Sequence, residues 1–321
     1  MAHGPAGLLR RLALALCVSI VAGCGLQVAP PRLVVPPVGL AALNFGQLTP
    51  GTLAHDPVIV GHRGGGSDKA PENTMAAFRL GPRHGAAILE CDVQCSKDGA
   101  LVIIHDKTVD RTTDGKGPVR QFTLEQLKQL DAGQGERIPT LEELLSFTAS
   151  QPDLGLVVEI KAKRKVCPEI ADKVVAAVNK AGLNSRVMVI SFYRDAVARV
   201  ETLQPDLRTG LLFFLRVNPI KTAKQIRADS VWPARHRTTS HFVKAAHEGG
   251  LPVFSWTLNS AKVLLEARRV GADSVVTDVP DVAKEAFAHD DPDVPSPPGL
   301  ASPSFDPEDQ EDPEDLASET P

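Results

Sequence analysis

The sequence predicts an α/β protein built around one (β/α)8 TIM barrel, and three observations point to this class. Residues 58–288 number about 230 of the 321 in the chain, close to the ~250 residues of a typical barrel. Within this stretch, short β-branched runs alternate with helical patterns, which is typical of βα units around a parallel sheet. Several runs end in charged or polar residues, at the positions where such barrels carry their sites.

The chain begins with the pattern of a secretion signal. Arg10 and Arg11 precede an uncharged apolar stretch that is too short to span a bilayer. Small residues then lead directly to Cys24, which resembles a bacterial lipobox, in which the cysteine is acylated. We therefore expect residues 1–23 to be a lipoprotein signal peptide and Cys24 to anchor the protein to a membrane of the bacterial cell envelope, in the periplasm or on the outer surface. The alternative is an ordinary signal peptide with an incidental cysteine.

Two further segments, residues 24–57 and 289–321, are predicted to lie outside the barrel. The first carries six Pro and few charges, which indicates an extended tether between the lipid and the body. The second holds eleven Asp or Glu, eight Pro and no Lys or Arg. Such a composition cannot bury a core, so it predicts a disordered acidic tail.

The composition excludes some classes of function. Aromatic residues make up only 4% of the chain, which argues against a nucleic-acid-binding surface that stacks bases. No apolar run reaches ~18 residues without a charge, which excludes a polytopic membrane protein. The net charge of −4 conceals a basic body, because removing the tail acids and the two signal arginines leaves 33 Lys/Arg and 28 Asp/Glu, near +5.

Three cysteines remain in the body, Cys91, Cys95 and Cys167. Their spacing fits no zinc site, and at most one disulfide can form among them. We expect all three to be small apolar residues of the core.

Nine β-branched runs can be read along the body, one more than the barrel needs. The extra run is explained by Asp98-Gly99, a strong signal for a β-hairpin. The hairpin predicts that residues 101–105 run antiparallel to the preceding strand and bring His105 close to Asp92. Eight parallel strands then remain, with a hairpin and a loop insertion (107–138) after barrel strand 2. The runs are 58–62, 88–93, 101–105, 156–161, 187–191, 210–214, 228–232, 253–257 and 274–277.

Helical patterns fill the intervals between the runs. Thr140 followed by Glu142 and Glu143 predicts a capped helix start, and the other predicted helices cover 124–130, 168–181, 195–202, 239–248 and 261–270.

Polar side chains converge at the carboxyl ends of four predicted strands. They include His62 and Arg63 after the first strand, two i, i+2 pairs that each point to one face, and His105 from the hairpin. The pairs are Glu90 with Asp92 and Glu159 with Lys161. Each feature alone has a structural explanation, such as an ion pair or a core histidine. Together they favour a catalytic site, because unpaired buried charges are costly.

The residue types at this site indicate phosphate ester chemistry. Three carboxylates offer the oxygen ligands that Ca²⁺ and Mg²⁺ prefer over zinc. Arg63 and Lys161 suit an anion, and arginine in particular suits bidentate binding of phosphate oxygens. Two histidines beside a divalent cation suit general acid–base catalysis.

The order of the motifs resembles that of the glycerophosphodiester phosphodiesterase family over residues 58–288. The motifs that carry the resemblance are Gly61-His62-Arg63-Gly64, Pro71-Glu72-Asn73-Thr74, Glu90-Cys91-Asp92-Val93, Asp98-Gly99, His105-Asp106, Asp110-Arg111-Thr112-Thr113, Ile138-Pro139-Thr140-Leu141-Glu142-Glu143, Glu159-Ile160-Lys161, Trp256-Thr257-Leu258-Asn259 and Thr277-Asp278-Val279-Pro280. The resemblance does not cover the tether or the tail.

The resemblance implies a fold, a reaction and a set of roles. The fold is similar to a phosphatidylinositol-phospholipase-like barrel, and the reaction is hydrolysis of a glycerophosphodiester to sn-glycerol 3-phosphate and an alcohol. His62 and His105 are expected to act as acid and base, through a cyclic glycerophosphate. By the same resemblance Glu90, Asp92 and Glu159 are the metal ligands, and Arg63 and Lys161 hold the phosphate. Glu72 and Asn73 lie beside the site and are assigned to substrate binding, with Glu72 expected to orient a histidine or to reach the substrate, and Trp256 packs against the glycerol carbons.

Two alternatives stay open at this point. One is a related barrel phosphodiesterase that acts on lysophospholipid or sphingomyelin, against which the complete Pro71-Glu72-Asn73-Thr74 motif argues. The other is an inactive, lipid-anchored binding protein. The presence of all three carboxylates and both histidines argues against that second alternative.

Overall fold

The computed structural model describes residues 45, 50–51, 56–66, 69–161, 169–215 and 217–289. The predicted signal peptide, the lipidation site Cys24, most of the tether and the tail from residue 290 onward lie outside the described residues.

The described body is a barrel of parallel strands closed almost completely on itself. In the sheet the strands follow the order β7-β6-β5-β4-β2-β1-β9-β8. Two parallel bridges, Val231 with Val253 and Ala234 with Trp256, connect β7 to β8 and bring the two ends of the sheet together. The strands are β1 (Val58–Gly61), β2 (Ile88–Cys95), β3 (Leu101–Ile103), β4 (Gly155–Ile160), β5 (Val187–Ser191), β6 (Arg208–Phe213), β7 (Ser230–Pro233), β8 (Phe254–Ser255) and β9 (Ser274–Thr277).

The hairpin predicted from Asp98-Gly99 is confirmed. Strand β3 pairs antiparallel with β2, with Val93 opposite Ile103. Gly99 takes a φ of +79° at the turn, a conformation that glycine adopts without steric cost. After the hairpin, the amide of Ile104 donates to the carbonyl of Asp92 at 2.9 Å, which returns the chain to the carboxyl end of β2.

Nine helices surround the barrel in the described part of the chain, and six of them were predicted. Thr140 caps α3 with the reciprocal Glu143 bond of a capping box. The predicted helix at 168–181 begins at Ile170, with Pro168 outside the described residues. The helices are α1 (Met75–Leu80), α2 (Leu124–Gln129), α3 (Leu141–Ser150), α4 (Ile170–Ala181), α5 (Arg194–Leu203), α6 (Pro219–Gln225), α7 (Ser240–Glu248), α8 (Ala261–Arg269) and α9 (Pro280–His289).

These helices are all short. Among the residues that the structure describes, no helix is both long enough and apolar enough to cross a bilayer.

Strand β2 shows how the sequence separates the two sides of the barrel wall. Leu89 and Cys91 point outward and pack with helices, whereas Ile88 points inward into the apolar interior. Glu90 and Asp92, at the same parity as Ile88, therefore also point inward, but nearer the carboxyl end. Along β2 the barrel interior is consequently apolar at its amino end and charged at its carboxyl end.

One residue of the predicted tether belongs to the barrel core. Phe45 is buried among inward-facing residues such as Val60, Val157 and Met188. Its amide donates to the carbonyl of Ser185, just before β5. The phenyl ring therefore closes the amino end of the barrel, opposite the polar strand ends.

The prediction that all three cysteines are free core residues is wrong for Cys95, which is disulfide-bonded. Cys91 is a free, buried thiol of the outer core. Cys167 lies outside the described residues.

Candidate active site

Three buried carboxylates meet inside the barrel at the carboxyl ends of β2 and β4. Glu90 and Asp92 come from β2, and the register between the strands places Glu159 of β4 opposite Asp92. One oxygen of each carboxylate lies within 4.8 Å of an oxygen of the other two. This clustering matches the metal-ligand set predicted from the sequence.

The electrostatics of the cluster favour a bound cation. Burial and the neighbouring charges of Asp92 and Glu159 raise the pKa of Glu90 well above its ordinary value. Burial also opposes ionisation of Asp92, yet His105, Lys161 and Arg63 together lower its pKa. Oε1 of Glu90 and Oδ1 of Asp92 are buried and accept no hydrogen bond from any described residue. Buried carboxylate oxygens that repel one another and accept no hydrogen bond are suitable ligands for a hard divalent cation.

The turn after β1 places His62 and Arg63 against this cluster. The amide of Arg63 donates to Oε2 of Glu90 at 2.8 Å, and its backbone takes a φ of +50°. Its guanidinium contacts Oε1 of Glu72 at 3.0 Å and lies 3.6 Å from Oδ2 of Asp92. Arg63 is therefore held by acids on two sides, with 8% of the residue exposed to solvent.

A carboxylate from the last strand orients His62. Nδ1 of His62 lies 2.7 Å from Oδ1 of Asp278. Asn259 donates to the other oxygen of Asp278 and accepts from its amide. Burial raises the pKa of Asp278, but the proximity of His62 outweighs it, so the pKa is lowered. With Asp278 ionised, Nδ1 of His62 carries its proton and Nε2 is the free acceptor.

His105 is oriented in the same manner by its neighbour in the chain. Nδ1 of His105 lies 2.8 Å from Oδ1 of Asp106, and Nε2 lies 2.8 Å from Nζ of Lys161. Burial and Lys161 act to lower the pKa of His105, but Asp92 and Asp106 are among the groups that oppose them, and the pKa is raised. The side-chain amide of Gln94 donates to three successive carbonyls, of Ile104, His105 and Asp106, and fixes this turn.

Arg111 joins the two halves of the charged cluster. Its guanidinium makes two hydrogen bonds to Asp106, at 2.7 and 2.8 Å. It makes two more to Glu72, at 2.8 and 2.9 Å. Because Glu72 also binds Arg63, a continuous chain of charge-assisted bonds runs from His105 to Arg63.

Lys161 and Asn73 complete the surroundings of Asp92. Nζ of Lys161 lies 3.2 Å from Glu159 and 3.8 Å from Asp92. The side-chain amide of Asn73 donates to Oδ2 of Asp92 at 2.7 Å, and its oxygen accepts from the Asp92 amide at 3.3 Å. We call the acidic, basic, amide and histidine side chains on this side the charged wall of the cavity, and they are His62, Arg63, Glu72, Asn73, Glu90, Asp92, His105, Asp106, Arg111, Glu159 and Lys161.

The opposite side of the same cavity is apolar. Trp256 packs edge-on against Phe192, with 5.6 Å between ring centroids. Its indole N–H donates to the carbonyl of Trp232 at 2.8 Å, and Trp232 stacks on Phe254. We call the residues on this side the apolar wall, and they are Ile190, Phe192, Leu212, Trp232, Trp256 and Val276.

The structure brings together every body residue that the sequence placed at the site. Glu72 contacts two arginines, and Asn73 contacts Asp92, so both lie beside the carboxylates. The sequence did not predict the positioning roles of Arg111 or Asp278. Both stand in motifs noted from the sequence, but only their contacts with Asp106 and His62 reveal what they orient.

Comparison with known proteins decides the family. Residues 62–282 match the model of the glycerophosphoryl diester phosphodiesterase family. The chain belongs to this family. The enzyme class and barrel fold predicted from the sequence are thereby confirmed, and the inactive binding protein is not favoured.

Named phosphodiesterases resemble the chain across the barrel. A glycerophosphodiester phosphodiesterase of Caldanaerobacter subterraneus is 37% identical over 232 residues, which covers 70% of this chain and 95% of the relative. A solved phosphodiesterase of Oleispira antarctica, in complex with the product sn-glycerol 3-phosphate, is 29% identical with a TM-score of 0.65. It covers 72% of this chain and 97% of the solved chain.

A third relative matches this chain over nearly the same share of its length. The solved structure of a phosphodiesterase assigned to this family from Galdieria sulphuraria is 28% identical, with a TM-score of 0.68, and covers 73% of this chain and 98% of its own. The family likeness therefore covers the barrel described above.

Proposed function

We propose that this phosphodiesterase cleaves glycerophosphodiesters between His62 and His105, by acid–base catalysis through a cyclic glycerophosphate. The observation that carries the proposal is that two carboxylate-oriented histidines, Arg63, Glu90 and Glu159 line one cavity. Asp92 lies beside the two glutamates, and Lys161 contacts His105 and Glu159. The Oleispira antarctica relative, with sn-glycerol 3-phosphate bound, supports the assignment of the glycerophosphate half of the substrate.

The phosphate group is held by Arg63 and Lys161 in this proposal. Arg63 lines the cavity, and its guanidinium suits two parallel bonds to phosphate oxygens. Lys161 contacts two residues of the cavity lining, His105 and Glu159. Lys161 contacts Nε2 of His105 at 2.8 Å. A phosphate that draws the ammonium toward itself therefore frees Nε2 of His105 for a proton.

Glu90, Asp92 and Glu159 would hold a divalent cation, with Ca²⁺ and Mg²⁺ as the two candidates. The chemistry supplied by such a cation when bound is neutralisation of the negative charge that develops on the phosphate oxygens. Asn73 and the Arg63 amide keep two of the three carboxylates in place by hydrogen bonds, a role that typically affects metal affinity.

The two histidines divide the proton transfers. Nε2 of His62 takes the proton of the substrate's glycerol 2-hydroxyl, whose oxygen then forms a bond to phosphorus. The bond from phosphorus to the alcohol oxygen breaks, and His105 donates its proton to that oxygen. The raised pKa of His105 suits the acid, and the free acceptor atom of His62 suits the base.

Water completes the reaction with the roles reversed. His105 takes a proton from water as the water oxygen bonds to phosphorus. The bond from phosphorus to the 2-oxygen breaks, and His62 returns its proton to that oxygen. The products are sn-glycerol 3-phosphate and the free alcohol, and both histidines regain their starting protonation.

A release assay tests this function. The full-length protein, incubated with glycerophosphocholine and Mg²⁺ or Ca²⁺, is expected to release sn-glycerol 3-phosphate, and EDTA is expected to stop the release. Glu90→Gln should shift the divalent requirement to higher concentration. Cleavage of lysophospholipid or sphingomyelin with no cleavage of glycerophosphodiesters would overturn the substrate assignment, as would turnover insensitive to EDTA.

We also propose that Cys24 carries a lipid and anchors the enzyme in the cell envelope. The support is the basic, apolar and small-residue pattern that precedes this cysteine. Incorporation of labelled palmitate by the wild-type protein, and its loss in Cys24→Ala, would be the expected result. Equal labelling of both proteins would contradict the proposal.

A further inference from the structure

Two apolar side chains stand out on the surface. Leu215 is 63% exposed and Val217 is 81% exposed, and no other large hydrophobic residue in the described part of the chain is exposed. Single exposed apolar residues are ordinary, but a pair on one loop has a cost in water that calls for a partner. The pair is therefore a candidate contact surface for an apolar partner.

The loop that carries these residues borders the opening of the active-site cavity. It follows β6 at the carboxyl end of the barrel, where the catalytic candidates lie. The ring of Phe214, the residue before Leu215, has its centroid 4.5 Å from that of the His236 ring and 6.5 Å from that of the Trp256 ring. Because Trp256 belongs to the apolar wall, the loop extends that wall outward to the surface.

The same region of the chain is strongly basic. Residues 207–247 contain eight Lys or Arg and a single acidic residue, Asp229. Asp229 is already paired with Arg208. Lys244 pairs with Glu248, which directly follows the segment, so the unbalanced positive charge comes from the other cations.

Two of these cations are exposed at the carboxyl end of the barrel. Lys221 lies at the start of α6 and Arg237 in the turn after β7, and both line a groove of about 1000 Å³ between α6 and α7. No carboxylate lines this groove among the described residues. Neither Lys221 nor Arg237 forms an ion pair with a described residue. Burial lowers the pKa of His236, and the adjacent Arg237 and Arg235 lower it further.

A surface that joins protruding apolar side chains to unpaired cations is complementary to a phospholipid membrane. The apolar residues reach the acyl boundary, and the cations bind anionic headgroups. An acidic protein partner would satisfy the charges but would leave the two protruding apolar side chains unexplained. We propose that Leu215, Val217, Lys221 and Arg237, here called the β6–β7 rim, dock the barrel on the surface of an anionic phospholipid bilayer.

This inference goes beyond the proposed phosphodiesterase function and does not depend on lipidation of Cys24. It assigns an orientation, in which the opening of the cavity lies beside the headgroups. The catalytic residues belong to the charged wall, so the rim can be altered without altering them.

Hydrogen exchange on the full-length protein tests the docking locally. Exchange is compared without vesicles, with phosphatidylcholine vesicles, and with vesicles of equal phosphatidylcholine and phosphatidylglycerol. Peptides covering 211–220 and 234–241 are expected to exchange severalfold more slowly on the anionic vesicles only. Because the readout is local, binding of the N-terminal segment to the same vesicles does not produce it.

Two double variants should remove this protection. They are Leu215→Ser with Val217→Ser, and Lys221→Gln with Arg237→Gln, each of which should hydrolyse soluble glycerophosphocholine within twofold of wild type. Each cation removed should weaken the rim's membrane contact about fivefold. The matched control is Lys116→Gln with Arg120→Gln, which removes one exposed Lys and one exposed Arg from the loop insertion and should leave the protection intact.

Several results would overturn the docking surface. Unchanged exchange in both rim peptides on anionic vesicles would do so, and so would protection that survives both double variants. Equal protection on pure phosphatidylcholine would contradict the role of the cations. The rim peptides could also exchange slowly without vesicles and lose this protection when the chain is truncated after His289. That result would show that the acidic tail, and not a membrane, covers the rim.

Discussion

The two walls of the active-site cavity are held together by different interactions, charged hydrogen bonds in one and apolar packing in the other. In the charged wall, acids, cations and histidines bind one another, as in the chain from His105 through Asp106, Arg111 and Glu72 to Arg63. The apolar wall consists of side chains that pack without charge, centred on Trp256 and Phe192. The charged wall holds the groups proposed to react in fixed positions. The apolar wall leaves little polar surface for water, and a low water content strengthens the electrostatic interactions between those groups.

The largest expected effect comes from removing an acid–base group of the charged wall. His105→Ala should lower kcat by about 10²–10⁴-fold, because a positioned proton donor contributes that much. Glycerol 3-phosphate release under saturating divalent cation measures it. His289→Ala, at an exposed histidine at the end of α9, serves as the control. Unchanged turnover in His105→Ala would contradict its assignment.

A smaller loss is expected from a residue that touches neither the phosphate nor the carboxylate cluster. Arg111→Gln breaks the four bonds that hold Asp106 and Glu72, and we expect a loss of about 10–100-fold, the usual range for residues that orient a site. Arg111→Lys should recover little of it, because an ammonium cannot bind both carboxylates in a fork.

The pH profile distinguishes orientation from stability in this variant. A merely structural role for Arg111 would lower the melting temperature and leave the acidic and basic limbs of kcat unmoved. Loss of the Asp106 orientation should also shift the limb that reports His105. Arg120→Gln, at an exposed arginine of the same loop insertion, should change neither quantity.

The apolar wall should respond in KM rather than kcat. Trp256→Ala removes the side chain that faces the cavity from this wall, and we expect KM for glycerophosphocholine to rise about tenfold. Trp256→Phe retains an aromatic ring against Phe192 and should change KM less than threefold. If Trp256→Ala lowered kcat as much as His105→Ala does, the apolar wall would contribute to catalysis and not only to substrate binding.

The smallest effect concerns stability outside both walls. Glu201 of α5 accepts a hydrogen bond from Thr209 at 2.5 Å. Burial, with the nearby Asp229, raises the pKa of Glu201 to about 7 from the ordinary 4.5. Its ionisation therefore opposes folding, and the stability it contributes at low pH is lost as the pH rises from 4.5 through 7.

Glu201→Gln should be more stable than wild type at pH 8 by about 1–2 kcal/mol, a figure reduced for the partial exposure of the side chain. At pH 5 the two proteins should differ little. Urea unfolding at both pH values measures this, and kcat should not change because Glu201 lies outside the cavity. An equal difference at pH 5 and pH 8 would refute the raised pKa.

The barrel could be predicted because its strands carry strong local signals. In β2 the alternation of Ile88, Glu90 and Asp92 with outward apolar residues fixes which side chains face the interior. The turn at Asp98-Gly99 identified β3 as a hairpin partner and so gave the correct strand count. The three carboxylates followed from these two inferences, since parity and strand ends place them together.

The remaining features depend on contacts between distant segments. Asp278 orients His62 across 216 positions in the chain, and no periodicity encodes that distance. The apolar wall was not predicted apart from Trp256, because residues such as Leu212 at a strand end look like ordinary core. Two of the three helices that were not predicted, α1 and α6, have only 6 and 7 residues, too few for a clear amphipathic period. The third, α9, begins directly after the Thr277-Asp278 strand end.

Phe45 has a consequence for how far the enzyme can move if Cys24 carries the proposed lipid. The ring fixes the chain at the amino end of the barrel, remote from the catalytic opening. About twenty residues separate Cys24 from Phe45, and fully extended they reach about 70 Å. The helices that flank the barrel are much shorter than this reach, since the longest one described, of 12 residues, spans only about 18 Å. Attachment at the far end therefore still permits the barrel to turn over and bring its opening to the membrane that holds it.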